Sequence, residues 1–302
     1  MRVAILGQRG GWHTAALQEA LARRGITAPS FPITRLTARL SARPWLATDD
    51  EPLEAYDALF VRTIPSGSLE QIIFRVDALH RLENAGVRIV NSPTAIERTV
   101  DKYYTSALME DAGLPTPRTV ATEQFDRAMR AFQELGGDVV VKPIFGSEGR
   151  GMVRVSDPDT AYRVFRALEL GRYVYYLQEF LPHGHEDIRV FVIGGEVVAA
   201  MMRRGKTWKT NVAQGAKPKA LTPTGELREM SLRAAQAVKA DYAGVDILPL
   251  EGGGYTVIEV NGIPGWRGLQ AATGVNAAEH MVEYVLSDVV SLGEGNEASG
   301  IG

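Results

Sequence analysis

The chain has 302 residues, 45% of them hydrophobic and 23% charged, a balance that suits a globular protein of two or more compact units. A formal charge of −3 argues against a phosphate-backbone binder, and zero cysteines remove disulfide frameworks and thiolate zinc sites. No apolar run reaches the roughly 20 residues that span a bilayer, and the opening MRVAILG lacks the long apolar core of a signal peptide, so the chain reads as cytoplasmic.

From the N-terminus, RVAIL reads as a short buried strand, GQRGGWHTAALQEALARRG as a Gly-rich turn and an amphipathic helix, and DALFVR and VRIVNSP as further strands. Residues 1–96 are therefore expected to form an open α/β domain. Gly7, Gly10 and Gly11 can line a crevice at the strand ends, but their G-x-x-G-G spacing departs from the dinucleotide fingerprint. Arg62 follows a strand and precedes a Pro-containing turn, which places it at a strand's carboxyl end facing that crevice. An arginine there can pair with an anionic acceptor or simply be solvated.

NSPTAIERTVDKYYTSALMEDAGLPTPRT is expected to be one helix of about five turns, with Ser92 as cap, Pro93 at its first position and Gly113 and Pro115 as its stop. Lys102 then lies mid-helix, where taken alone it is a solvated lysine. Next, DVVVKPIFGSEGRGMVRV reads as a strand, a loop bearing Gly146, Gly149 and Gly151, and a second strand. Such a hairpin can lie over a triphosphate and offer unobstructed backbone N–H groups, while Lys142 supplies a point positive charge. An ordinary flexible hairpin fits the same residues. In YVYYLQEFLPHGHEDIRVFVIGGEVVAAMMRR two strands flank the IGGE turn. His183 and His185, near Glu186 and Asp187, read as solvated loop residues, because no further nitrogen ligand accompanies them.

GVDIL and YTVIEVN read as hairpin partners joined by PLEGGG. Alternation places Glu259 and Asn261 on one face and Ile258 and Val260 on the other. An isolated E-x-N needs no more than water beside it. Together with Asp246 on the partner strand, however, these residues form a set of three oxygen ligands that suits hard Mg²⁺.

Lys102, VVVKP, GSEGRG, QEF, DIRVFV, MMRR, TN at 210–211, GVDIL and EVN-x-x-PG stand in the order and spacing of the ATP-grasp superfamily, and the chain resembles its RimK-type ATP-dependent α-L-glutamate ligases over nearly its whole length. The resemblance implies an ATP-grasp fold that is α/β plus α+β. It would comprise an N-terminal open α/β domain (1–96), a linker helix with a small central lid (97–180), a C-terminal antiparallel α+β domain (181–290) and an unstructured tail (291–302). ATP and Mg²⁺ or Mn²⁺, with two ions, are the implied cofactors. Lys102 and Lys142 would contact phosphates beneath the loop of Gly146, Ser147, Gly149 and Gly151. Gln178, Glu179 and Phe180 would form the hinge beside the adenine, and Asp187 or Glu186 would take the ribose. Asp246, Glu259 and Asn261 would hold metal, while Arg189, Arg203 and Asn211 would face the transferred phosphoryl group and the acceptor carboxylate.

Two stretches, PGW-x-GLQ and TNVAQGA, look more like the branch that adds glutamate to a tetrahydromethanopterin-type C1 carrier. Trp266 stands where ribosomal-protein-modifying members carry a small or aliphatic residue, and Lys209 where they tend to carry arginine. Trp266 and Arg267, with Arg62 and Arg204, are the expected acceptor contacts; a tryptophan plugging the core beneath the turn fits Trp266 equally. The expected activity is amide formation between L-glutamate and a small carboxylate acceptor through an acyl phosphate. The alternatives are glutamylation of a protein C-terminal tail and an ATP-binding interaction module without catalysis. Neither nucleic acid nor membrane is expected as a partner, and a homo-oligomer is left open.

Overall fold

A computed structural model describes residues 1–146, 149–210 and 215–298, with side chains through residue 289. The N-terminal unit contains β1 (Val3–Leu6), α1 (Trp12–Ala22), β2 (Ser30–Phe31), β3 (Leu36–Ala38), β4 (Leu46–Thr48), β5 (Glu51–Pro52), β6 (Ala58–Val61), α2 (Leu69–Asn84) and β7 (Arg88–Val90). Its parallel sheet runs β2-β1-β6-β7, beside a small antiparallel sheet β3-β4-β5. Every residue of β1 and β6 is buried, as expected where a parallel sheet is covered on both faces.

The expected single linker helix is two, α3 (Pro93–Val100) and α4 (Lys102–Asp111). Ser92 caps the first through its hydroxyl, which accepts from the Ala95 N–H at 3.1 Å. Asp101 breaks the run: its backbone is extended and its carboxylate accepts from the Tyr104 N–H at 3.1 Å, capping α4. Aspartate competes with helix continuation by bonding nearby backbone N–H groups. Lys102 is therefore the first residue of a helix, not a mid-helix one.

The lid contains β8 (Thr119–Thr122), α5 (Phe125–Glu134), β9 (Val139–Lys142), β10 (Val153–Val155), α6 (Pro158–Leu170) and β11 (Tyr175–Glu179). Its sheet runs β10-β9-β11-β8, antiparallel, over its own core of Phe132, Phe165, Tyr175 and Leu177.

The C-terminal unit contains β12 (Glu186–Ile193), β13 (Glu196–Arg204), β14 (Lys217–Leu221), α7 (Gly225–Ala237), β15 (Tyr242–Pro249), β16 (Tyr255–Asn261), α8 (Arg267–Thr273) and α9 (Ala277–Ala298). The sheet β14-β13-β12-β15-β16 is antiparallel throughout. Gly194 and Gly195, at φ 57° and 78°, make the tight turn between β12 and β13 that right-twisted strands need. One face of the sheet packs on α7. The other shares a core with the N-terminal unit, where Phe191, Met201, Tyr242 and Trp266 meet Val3, Ile5 and Leu17. Buried Asn91 pins the two units, donating to the Tyr242 carbonyl at 2.8 Å and accepting from the Asp241 N–H at 2.7 Å.

Residues 291–298, expected as an unstructured tail, continue helix α9; residues 299–302 lie outside the described residues. Among the described residues no helix is long and apolar enough to cross a membrane.

Candidate active site

A cleft opens between the lid and the C-terminal sheet, and most of the expected nucleotide residues line it: Lys102, Lys142, Gly146, Gly149, Gln178, Glu179, Phe180, Asp187, Arg203, Asp246 and Glu259. Ser147 and Asn211 lie outside the described residues.

Lys102, at the N-terminus of α4, is strapped to the glycine loop: its ammonium donates to the Gly146 carbonyl at 2.7 Å. Gly146 and Gly151 both take positive φ, and a Cβ on either would come within 3.5 Å of Pro143. Each of these two glycines thus takes a backbone form that other residues resist. Lys142, at the end of β9, donates to the Gln178 carboxamide, which in turn donates to the Thr119 hydroxyl at 3.0 Å. Burial lowers the pKa of both lysines, that of Lys142 to about 8, with Glu259 opposing the shift. Both are desolvated cations waiting beside a carboxylate.

The hinge is buttressed rather than open. Glu179 accepts from the Arg118 N–H at 2.8 Å and from its guanidinium at 2.7 Å. The ring of Phe180 is covered on one side by the Arg154 guanidinium, 3.5 Å from its centroid.

Register places Asp246 directly across from Glu259, and then it slips: Ile247 pairs with Val257, leaving Ile258 as a bulge. The bulge breaks the expected alternation. Val257 and Val260 enter the core, whereas Ile258, expected on the greasy face, lines the cleft beside Glu259. Asn261 turns its amide toward the Asp246 carboxylate, 3.5 Å away.

Two arginines meet on Asp246. Arg189 donates to both carboxylate oxygens at 2.7 Å, and Arg203 reaches one of them at 3.1 Å. Burial, the largest influence, works against the charge on Asp246, but the two guanidinium groups outweigh it and hold its pKa below the usual carboxylate range. Arg203 also grips both oxygens of Asp187, at 2.5 and 2.6 Å, and Thr210 donates to the same carboxylate at 2.5 Å. Asp187 therefore holds Arg203 in place, with both carboxylate oxygens already hydrogen-bonded, while it lines the cleft wall. The other expected ribose group, Glu186, pairs with Arg204. Strand alternation puts Arg204 on the solvent side, opposite Arg203, so it leaves the expected set of acceptor contacts.

Trp266 is fully buried. Its indole packs against His13, Trp12, Phe191 and the Arg62 guanidinium, the last 4.5 Å from its centroid. It plugs the core between the N-terminal and C-terminal units and presents no face to an acceptor. Arg62 does stand at the carboxyl end of β6, but it is spent on structure, donating to the Tyr242 hydroxyl at 2.8 Å and the Pro264 carbonyl at 2.7 Å. Arg267 is exposed beside Trp12, 5.9 Å from its ring.

The sequence reading missed His13, which accepts from the Trp266 N–H at 3.1 Å and which burial and two arginines keep neutral, with a pKa near 4. It also missed the burial of His183: a turn returns the Glu186 N–H to the His183 carbonyl at 2.9 Å and draws the ring into the cleft wall. Trp208 was missed too, although an aromatic residue between GKT and KT in a polar loop is itself a signal.

Residues 99–285 match the RimK-like ATP-grasp domain and residues 1–96 the RimK PreATP-grasp domain. The chain belongs to the RimK-like ATP-grasp family. It is 35% identical over 262 residues to the tetrahydromethanopterin:alpha-L-glutamate ligase of Methanosarcina acetivorans, covering 77% of this chain and 81% of that one. It is 33% identical over 292 residues to the protein of the same name from Methanococcus maripaludis, covering 95% and 98%. The alpha-aminoadipate–LysW ligase LysX of Sulfurisphaera tokodaii is 30% identical over 209 residues, with 67% and 73% covered. Among solved structures, the ATP-grasp ligase PsnB complexed with minimal precursor, Mg and ADP superposes with a TM-score of 0.74 at 23% identity, covering 95% of this chain and 98% of that one. That last likeness speaks for the fold. As a RimK-like ATP-grasp protein, the chain is an ATP-dependent amide-forming ligase.

Among the described residues no group of three or more His, Asp or Glu forms a self-sufficient metal cage. Asp246, Glu259 and Asn261 nevertheless fit Mg²⁺, which binds through one or two carboxylates and completes its shell with water and phosphate oxygens. The register sets the Asp246 and Glu259 carboxylates directly opposite one another, so both are on hand for one ion.

Proposed function

We propose that this RimK-like ligase adds L-glutamate to the terminal carboxylate of a small, tetrahydromethanopterin-type cofactor. The supporting observation is the gathering of Lys102, Lys142, the glycine loop and the Asp246–Glu259 pair in one cleft, in a chain that aligns over 95% of its length with a ligase of that name.

The acceptor carboxylate oxygen attacks the γ-phosphorus of ATP, ADP leaves, and an acyl phosphate remains. The glutamate amine then attacks the acyl carbon, phosphate departs, and the amine's proton is released. In the first step the protein must bring two anions together and spread their charge over positioned cations. Lys102 and Lys142 hold the nucleotide phosphates, with Gly146, Ser147, Gly149 and Gly151 covering them and Gln178, Glu179 and Phe180 setting the hinge. Asp246, Glu259 and Asn261 would hold Mg²⁺ or Mn²⁺, two ions in all, which when bound would offset phosphate charge. Arg189, Arg203 and Asn211 face the transferring phosphoryl group, with Asp187 and Thr210 fixing Arg203. Closing the lid excludes the water that would hydrolyse the acyl phosphate.

The test is ADP release from ATP and Mg²⁺ with glutamate present, across a panel of acceptors. Turnover that depends on a tetrahydromethanopterin-type carboxylate supports the reading. Turnover on a peptide ending in glutamate and not on the cofactor overturns the choice of acceptor. ATP binding without turnover on any carboxylate overturns catalysis.

A further inference from the structure

Trp208 lies on the connection between β13 and β14 and lines the cleft, half-buried. It belongs to none of the apolar cores among the described residues. Its loop is fastened on both sides. Before it, the Gly205 N–H donates to the His185 carbonyl at 2.9 Å; after it, Thr210 donates to buried Asp187. The anchored loop thus holds out a flat indole, which leans edge-on against Phe180 with ring centroids 6.3 Å apart.

Phe180 itself is poorly placed to stack on a ligand. Arg154 covers one face of it at 3.5 Å, and two bonds to Asp138, at 2.8 and 2.6 Å, hold Arg154 there, whereas the cation over the Trp208 ring, the Lys209 ammonium, stands 5.3 Å from its centroid. Arg154 and Phe180 therefore form a buttress, and Trp208 is the half-open ring that rests on it. The same cleft is also lined by the apolar side chains of Val140, Met152, Leu248 and Ile258. A flat, desolvated base suits that lining, as a triphosphate suits Lys102 and Lys142.

We infer that Trp208 is a specificity-determining residue of the nucleotide site, with its indole packed on the face of a purine base. The inference rests on the reading of the cleft as the nucleotide site. Stacking strength grows with ring area, so a two-ring purine gains more from the indole than a one-ring pyrimidine does, and the wild-type protein favours ATP and GTP over CTP and UTP.

The experiment measures binding of ADP, GDP, CDP and UDP with Mg²⁺ by calorimetry on the full chain, wild type against Trp208→Leu and Trp208→Phe. The expected result is an ADP affinity about tenfold weaker in the leucine variant, a CDP affinity changed less than twofold, and a phenylalanine variant in between. Tryptophan fluorescence of the wild type should change on adding ADP, and that change should vanish in Trp208→Phe, which keeps Trp12, Trp45 and Trp266. An equal loss for purines and pyrimidines, or no loss, overturns the inference and leaves the nucleotide reading standing. A wild-type protein that binds no nucleoside diphosphate overturns both.

Discussion

Arg189 grips both carboxylate oxygens of Asp246, at 2.7 Å each, from the neighbouring strand. A proposed metal ligand is therefore already paired with a guanidinium, and an ion at Asp246 must share the carboxylate with Arg189 and compete with its two-pronged grip. Lysine at position 189 keeps the charge but loses the two-pronged grip. Arg189→Lys should bind Mn²⁺ more tightly than the wild type in the absence of nucleotide, by several-fold in a paramagnetic-resonance titration. Its kcat should fall by about 10², the usual cost of one lost donor to transition-state charge. If only net charge matters, Mn²⁺ affinity will match the wild type and the competition argument fails.

The cross-strand pair of Asp246 and Glu259 makes a second expectation. Glu259→Gln removes one of two opposed carboxylates with almost no change of shape. Without metal the variant should be somewhat less stable in thermal unfolding, because buried Lys102 and Lys142 lose the nearby carboxylate that opposes their desolvation, while Asp246 keeps its two guanidinium partners. Mg²⁺-dependent ADP release should fall at least 10²-fold, because a neutral amide replaces a charged ligand. Wild-type turnover would make β16 a structural strand only.

Lys142 couples folding and binding with opposite signs. Burial holds its ammonium at a pKa of about 8, below its ordinary 10.5. Between those values the unfolded chain binds more protons than the folded one, so this lysine's contribution to stability increases as pH rises from about 8 to 10.5. Over the same rise the folded protein loses the charge proposed to face the phosphates. ADP affinity should weaken with a midpoint near pH 8 in calorimetric titrations, while Lys142→Arg, which stays charged, should show a flatter profile. A wild-type affinity that is level from pH 7 to 9.5 would remove Lys142 from the phosphate contacts.

What the sequence disclosed was local. Val139–Lys142, Tyr242–Pro249 and Tyr255–Asn261 were legible because apolar runs and alternation mark strands, and the glycines between them mark turns. Lys142, Asp246 and Glu259 could thus be set at strand ends and on one polar face. The split at Asp101 was hidden because aspartate is tolerated inside a helix and favoured at a cap, and helical periodicity alone does not choose between them. The bulge at Ile258 was hidden because register belongs to the pair of strands, not to β16 alone. The ion pairs that redirect Asp187 and Arg204 depend on which residue of β13 faces which residue of β12.

Trp266 was the least legible residue, because an aromatic side chain after a strand reads the same whether it faces a ligand or a core. Its burial is decided by Trp12 and His13 on α1, Phe191 on β12 and Arg62 after β6, three segments distant in the chain. Trp266→Ala should open a cavity where the N-terminal and C-terminal units meet and cost about 3–5 kcal/mol, with a matching fall in denaturation midpoint. Trp266→Phe, which keeps most of the packing, should cost less. In the phenylalanine variant the KM values for ATP and acceptor should both stay within about twofold of wild type, since the indole reaches neither cleft nor solvent. A selective rise in acceptor KM, with the midpoint unmoved, would return Trp266 to the acceptor site and contradict the packing around it.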